Sequence, residues 1–158
     1  MERPIDALLS EYSESHLNPT NKLIHWVCVP TIMFSLLGML YALPFPFAAK
    51  GIWSNWAAVL LAFALVYYLR LSLPLFIGFV CIGGAMLWGN ALLYGALGQS
   101  PSAMAQWCLG IFALAWVGQF IGHKIEGKKP SFFKDVQFLL IGPAWLLHFI
   151  FKKTGIKY

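Results

Sequence analysis

The sequence predicts an all-α integral membrane protein. It is read as a helical bundle of four transmembrane helices, with an N-terminal amphipathic helix and a C-terminal re-entrant segment or short fifth helix. Three observations predict it. Apolar residues make up 59% of the 158-residue chain and charged residues 11%, against roughly 45–50% and about 25% in soluble domains. The mean hydropathy is +0.70, so too few charges exist to cover a water-soluble surface, and disorder is excluded by the same numbers. The charges that do occur divide the chain into long uncharged stretches. The net charge of +5 comes from lysines at the ends of apolar runs, not from a basic face, which argues against a nucleic-acid partner.

The N-terminal segment lacks the form of a signal peptide, with Glu2, Asp6, Glu11 and Glu14 and no suitable apolar core. Ile5, Leu8, Leu9 and Tyr12 fall at i, i+3, i+4 and i+7, one helical face. Residues 4–15 are therefore expected as an amphipathic helix on the cytoplasmic interface, within an interfacial region 1–22 of a single membrane domain 1–158.

A spanning helix needs about 20 mostly apolar residues. Spans are placed near 25–43, 52–70, 73–97 and 103–122. The run from Leu71 to His123 is too long for one span and divides at Gly98-Gln99-Ser100-Pro101, a turn-forming cluster. The last stretch, 136–151, is short and interrupted by Gly142-Pro143. Proline removes an N–H from the helix ladder, so this segment is expected to re-enter rather than span.

Loop charges fix the orientation. With the N-terminus in the cytoplasm, Arg3, Lys22, Arg70, Lys124, Lys128, Lys129 and Lys134 lie inside. A re-entrant last segment adds Lys152, Lys153 and Lys157, leaving Lys50 outside, as the positive-inside rule requires. The expected location is the bacterial inner membrane, or the endoplasmic reticulum in a eukaryote. Cys28, Cys81 and Cys108 are widely separated in apolar runs and read as small core residues.

In so apolar a chain, each polar side chain near the bilayer is informative. The four histidines are His16, His25, His123 and His148. Asn18-Pro19 reads as an N-cap and first helical residue. His25 follows about 10 Å further along the axis at 1.5 Å per residue, with Asn21 on its face. Gln119, His123 and Glu126 lie at i, i+4 and i+7, and Gly122 permits close helix approach. The topology brings His16, His25 and His123 to one membrane depth. Neutral imidazole suits Zn, Cu, Fe and Ni, and the nearest general pattern is the non-haem Fe(II) oxygenase of two histidines and a carboxylate. Glu126 is then either that carboxylate or a group orienting a ligand histidine. His148, beyond Gly142-Pro143, is the weakest candidate for an extra ligand. Taken singly, each histidine reads as a satisfied interfacial residue. Trp26 reads as an aromatic-belt residue, His123 as a helix C-terminal cation, and the lysine pairs as topology signals.

The segment Tyr12…His16-Leu-Asn18-Pro19…Asn21…Ile24-His25…Val29-Pro30 resembles the start of the 2-hydroxy fatty acid dioxygenase family. Gln119-Phe-Ile-Gly-His123…Glu126…Pro130 is similar to its second block, and the likeness covers essentially the whole chain. The resemblance implies Fe(II)-dependent α-oxidation, in which a 2-hydroxy fatty acid and O2 give the acid one carbon shorter and CO2. It implies iron ligation by His16, His25 and His123. Asn18, Asn21, Gln119, Lys124 and Glu126 are then candidates for supporting the ligands or holding the substrate. The expected partners are that acid, O2 and the lipid bilayer, and a homo-oligomer is compatible with them. Two other readings stand beside it: a haem-binding bundle with two axial histidines, and a non-enzymatic membrane carrier or assembly protein. Di-iron desaturases need more histidines, in HxxxH or HxxHH patterns, than this chain has.

Overall fold

The computed structural model describes residues 3–14, 16–127 and 132–157, with backbone alone over 132–139. Glu2, Lys128, Lys129 and Pro130, and the side chain of Lys134, lie outside the described residues. Among the described residues, six helices follow one another: α1 (Pro4–Ser13), α2 (Pro19–Ala42), α3 (Trp56–Leu71), α4 (Leu73–Ala96), α5 (Pro101–Glu126) and α6 (Phe132–Thr154). No strand occurs among the described residues.

The helix boundaries follow local chemistry. Asn18 caps α2, its side chain accepting from the amides of Thr20 and Asn21, and Pro19 opens the first turn. Asn55 caps α3 by accepting from the Ala58 amide. Extended Ser72 alone separates α3 from α4. The expected turn after α4 is present: Gly98 and Gln99 both adopt left-handed φ, 66° and 56°. Ser100 then caps α5 and Pro101 begins it. Gly127, at φ 73°, ends α5, as glycine commonly does beyond a helix C-terminus.

Among the described residues, α2, α4 and α5 are long and apolar enough to cross a membrane. The fourth expected span, α3, has 16 residues. At 1.5 Å per residue that is about 24 Å, short of the about 30 Å of bilayer hydrocarbon. The outer surface is apolar: Phe63 is 73% and Leu114 74% exposed, and Trp88 and Trp107 are exposed too. Such a surface suits lipid and not water.

Two expectations are corrected. The apolar face of α1 does not lie open on the interface. Ile5, Leu9 and Tyr12 are buried, clustered with Ile141, Ala144 and Trp145 of α6. The Trp145 indole donates to Ser13 Oγ at 2.8 Å. The region 1–22 is accordingly not one interfacial helix, since residues from Pro19 belong to α2. Second, of the two forms expected for the last segment, the re-entrant one is not found and the helical one is: α6 is one helix of 23 residues with Pro143 inside it. Proline leaves the carbonyl four residues earlier without its amide donor. Nearby, Tyr68 donates its hydroxyl to the Leu140 carbonyl at 2.7 Å, so this stretch of backbone is supported from α3.

The most extensive packing joins α2 to α5. Gly118 and Gly122 make it close. A Cβ on Gly118 would stand 2.6 Å from Cys28 Sγ, and one on Gly122 would collide with the Asn21 side chain. This is the small-xxx-small device that lets membrane helices touch along their backbones. Gly118→Ala is therefore expected to lower the thermal midpoint in detergent by the equivalent of about 1–3 kcal/mol, the usual cost of overpacking. Cys28→Ala should restore most of the loss, and an unchanged midpoint in Gly118→Ala would contradict this packing.

Candidate metal centre

Close α2–α5 packing sets the first turns of α2 against the last turns of α5, with the α1–α2 connection and α6 beside them. His16 comes from that connection, His25 from α2 and His123 from α5. His16 and His25 are 3% and 2% exposed, and His123 is half-buried. Each offers a ligand nitrogen, and all three nitrogens lie within 4.8 Å of one another. The ring centroids of His123 stand 5.6 Å from His16 and 5.2 Å from His25.

The hydrogen bonds fix how two of these rings are used. His16 Nδ1 is 2.7 Å from the Tyr12 carbonyl. His25 Nδ1 is 2.9 Å from the Asn21 carbonyl. A carbonyl only accepts, so both Nδ1 atoms carry the proton and donate. In the neutral tautomers that result, the lone pairs sit on Nε2. The two Nε2 atoms face each other at 3.0 Å. Two acceptors at that distance repel unless a cation joins them. Two nitrogens about 2.1 Å from one ion and at right angles to it stand about 3 Å apart. A ligand histidine whose other nitrogen donates to a backbone carbonyl is the usual arrangement at metal sites. The donor set thus fits a divalent transition metal held by neutral imidazoles.

The surroundings hold His16 in place. Its ring stacks on Tyr12, centroids 4.1 Å apart and planes within 12°, and Trp145 lies across it at 5.3 Å. Burial lowers the His16 pKa below its ordinary value, with the neighbouring His123 acting the same way. The hydrogen bond to the Tyr12 carbonyl and the charge of Glu126 oppose this without cancelling it. Ligation needs the neutral form that burial favours.

A family model described as 2-hydroxy-palmitic acid dioxygenase Mpo1-like matches residues 3–154. The chain belongs to the Mpo1-like family. A relative in Saccharomyces cerevisiae, named 2-hydroxy-palmitic acid dioxygenase MPO1, is 31% identical over 147 residues, which cover 91% of this chain and 78% of that protein. No solved structure matches this Mpo1-like chain.

The other residues singled out in the sequence divide into two sets. Asn18, Asn21 and Glu126 sit together at the edge of the trio. Glu126 accepts from the amides of Leu17 and Asn18 and from Asn21 Nδ2. Gln119 is buried one turn before His123, whereas Lys124 is exposed. His148 is not brought to the trio. It lines a cleft with Arg3, Phe151, Lys152 and Lys157 at the C-terminal end of α6, so a fourth-ligand role is not supported. The 3.0 Å between the His16 and His25 nitrogens leaves no room between them for a porphyrin plane, so these two are not the axial pair of a haem.

Tyr12 and Trp145, which wall the His16 ring, went unread as site residues. Tyr12 counts in the sequence as an apolar position of α1 and as the first residue of the segment that carries the resemblance, with no role at the histidines assigned to it, and no spacing rule links Trp145 to a histidine so far away. The Gly118-x-x-x-Gly122 spacing was the readable signal for the α2–α5 approach.

The lowered His16 pKa has a definite sign. A folded-state pKa below the ordinary 6.5 means that the unfolded chain binds more protons between the two values, so stability falls as pH falls through that window. The metal-free protein is expected to show a lower thermal midpoint below about pH 6.5. His16→Asn should remove part of that slope, and an unchanged slope would show that this ring is not buried as described.

Proposed function

We propose that this Mpo1-like protein is a non-haem Fe(II) dioxygenase of the membrane. In this reading it converts a 2-hydroxy fatty acid and O2 to the fatty acid one carbon shorter, CO2 and water. The observation that carries the reading is the pair of Nε2 atoms facing each other at 3.0 Å, each ring locked by its Nδ1 to a backbone carbonyl. Membership of the family and the name of the yeast relative support the substrate class.

The reaction balances without a second reductant. Oxidation of a 2-hydroxy acid to the shortened acid and CO2 releases four electrons, which is what full reduction of O2 consumes. Fe(II), when bound, would supply open positions for the carboxylate and hydroxyl oxygens of the substrate and for activating O2. His16, His25 and His123 would hold it. All three are neutral ligands, so the substrate carboxylate meets an uncompensated positive charge there. Tyr12 and Trp145 shield one side of His16 from water and keep its ring from rotating.

The bundle suits such a substrate. Its acyl tail can stay in hydrocarbon, favoured by about 0.8 kcal/mol per buried CH2, while the polar head reaches the histidines at one end of the helices. The chain enters α2 at that end, so Lys22, Arg70 and Lys124 belong to the same end, and Lys50 lies between α2 and α3 at the opposite end. This charge distribution favours a cytoplasmic site.

Purified protein loaded anaerobically with Fe(II) and 2-hydroxypalmitate is expected to release the 15-carbon acid and CO2 once O2 is admitted, with palmitate itself unchanged. His123→Ala should lower product at least about 100-fold, as loss of a transition-state interaction of about 2.7 kcal/mol or more does. Full turnover by His123→Ala, or by protein freed of metal, would contradict the proposal.

A further inference from the structure

Glu126 is tied to each segment that carries a histidine of the trio. It stands on α5, three residues after His123. One of its carboxylate oxygens accepts from the Leu17 amide at 2.8 Å and the other from the Asn18 amide at 3.0 Å. These amides immediately follow His16. The second oxygen also accepts from Asn21 Nδ2 at 2.9 Å, and the Asn21 backbone carbonyl is the acceptor for His25 Nδ1 at 2.9 Å.

Both carboxylate oxygens are thus engaged with the α1–α2 connection and α2. The geometry does not present Glu126 as the carboxylate of a two-histidine, one-carboxylate centre. Its position also answers a need of α2. That helix has no acidic residue in its first turn, where backbone amides are unpaired and negative charge is stabilising. Asn18 Oδ1 serves the Thr20 and Asn21 amides, and Glu126 serves those of Leu17 and Asn18 just before them. The bond from Asn21 also sets its amide orientation: Nδ2 faces the carboxylate, and Oδ1 is left buried without a partner. Turning the amide over would bring two acceptors together at Glu126.

We infer that Glu126 is a positioning residue that sets the separation of the three histidines by clasping the α1–α2 connection and Asn21 to the end of α5. This inference rests on the metal-centre reading. It assigns Glu126 an action on metal affinity that passes through His16 and His25, with no bond to the metal.

The test uses Co(II) alone as a spectroscopic probe, titrated into the full-length, metal-free protein in detergent. Wild type, Glu126→Ala, His16→Ala and the double variant form a cycle. Glu126→Gln, which keeps the shape and one acceptor oxygen, is a second variant in case Glu126→Ala does not fold. Each protein is first checked for helicity and for a single species on gel filtration. Loss of a group that orients metal ligands typically costs 10–100-fold in affinity. Glu126→Ala is expected to weaken Co(II) binding by about that factor and to change the ligand-field absorption, with Glu126→Gln intermediate. In the His16→Ala background the added loss from Glu126→Ala should shrink to about threefold or less, since much of what the clasp positions is gone. Equal affinity and spectrum in wild type and a folded Glu126 variant would overturn the inference alone. So would a loss that multiplies fully with that of His16→Ala. Wild type that takes up no Co(II) would overturn the metal centre itself.

Discussion

Two nitrogen lone pairs pointed at each other across 3.0 Å are the constraint on which the site depends. Left alone they repel, and the backbone carbonyls of Tyr12 and Asn21 prevent either ring from simply changing tautomer. A charge placed between them turns the repulsion into two bonds. Burial strengthens both sides of this balance, because a low local dielectric magnifies an unmet polar group as much as a satisfied one. The His16 pKa moves in the direction that leaves its imidazole neutral and not a cation.

The fold brings this about with few specialised parts. Gly118 and Gly122 let α5 approach α2, and that approach sets His123 near His25. The α1–α2 connection then has to deliver His16 into the same space. Tyr12 and Trp145 form its walls, and Ser13 ties the indole back to α1. In this way α6 supports the histidine trio without adding a residue to it. Its interior proline is tolerated beside a carbonyl that receives the Tyr68 hydroxyl. Membrane helices gain little from burying apolar groups against one another, because lipid is equally apolar. Close backbone contact and hydrogen bonds between helices must carry the packing. Among the described residues, hydrogen bonds of this kind join α5 to α2 and α6 to α1 beside the histidines, and others join α4 to α2 and α3 to α6.

Much of this arrangement was legible in the sequence. The charge-free stretches locate α2, α4 and α5 closely, and Gly98-Gln99-Ser100-Pro101 marks the turn between α4 and α5. His16, His25 and His123 could be grouped because topology sends the start of α2 and the end of α5 to one membrane face. Length was harder to read. The span near 52–70 includes Ile52, Trp53 and other residues that precede α3, so a 16-residue helix looked full-sized. Gly142-Pro143 lies inside a continuous α6, with a hydrogen bond from Tyr68 of α3 to the nearby Leu140 carbonyl, a contact that no local pattern reveals. The apolar stripe of α1 was read correctly as a stripe, but a stripe does not say whether lipid or protein covers it. Glu126 was recognisable as belonging with His123, whereas its bonds to the Leu17 and Asn18 amides join parts of the chain that are distant in sequence.

The central claim concerns what His16, His25 and His123 hold in common, so the most direct measurement is X-ray absorption at the iron edge of the Fe(II)-loaded protein. The account predicts an inner shell of nitrogen and oxygen with the outer-shell scattering of three imidazoles, reduced by one in each single histidine variant. A shell of oxygen alone, or an imidazole count that does not change when these histidines are replaced, would contradict it.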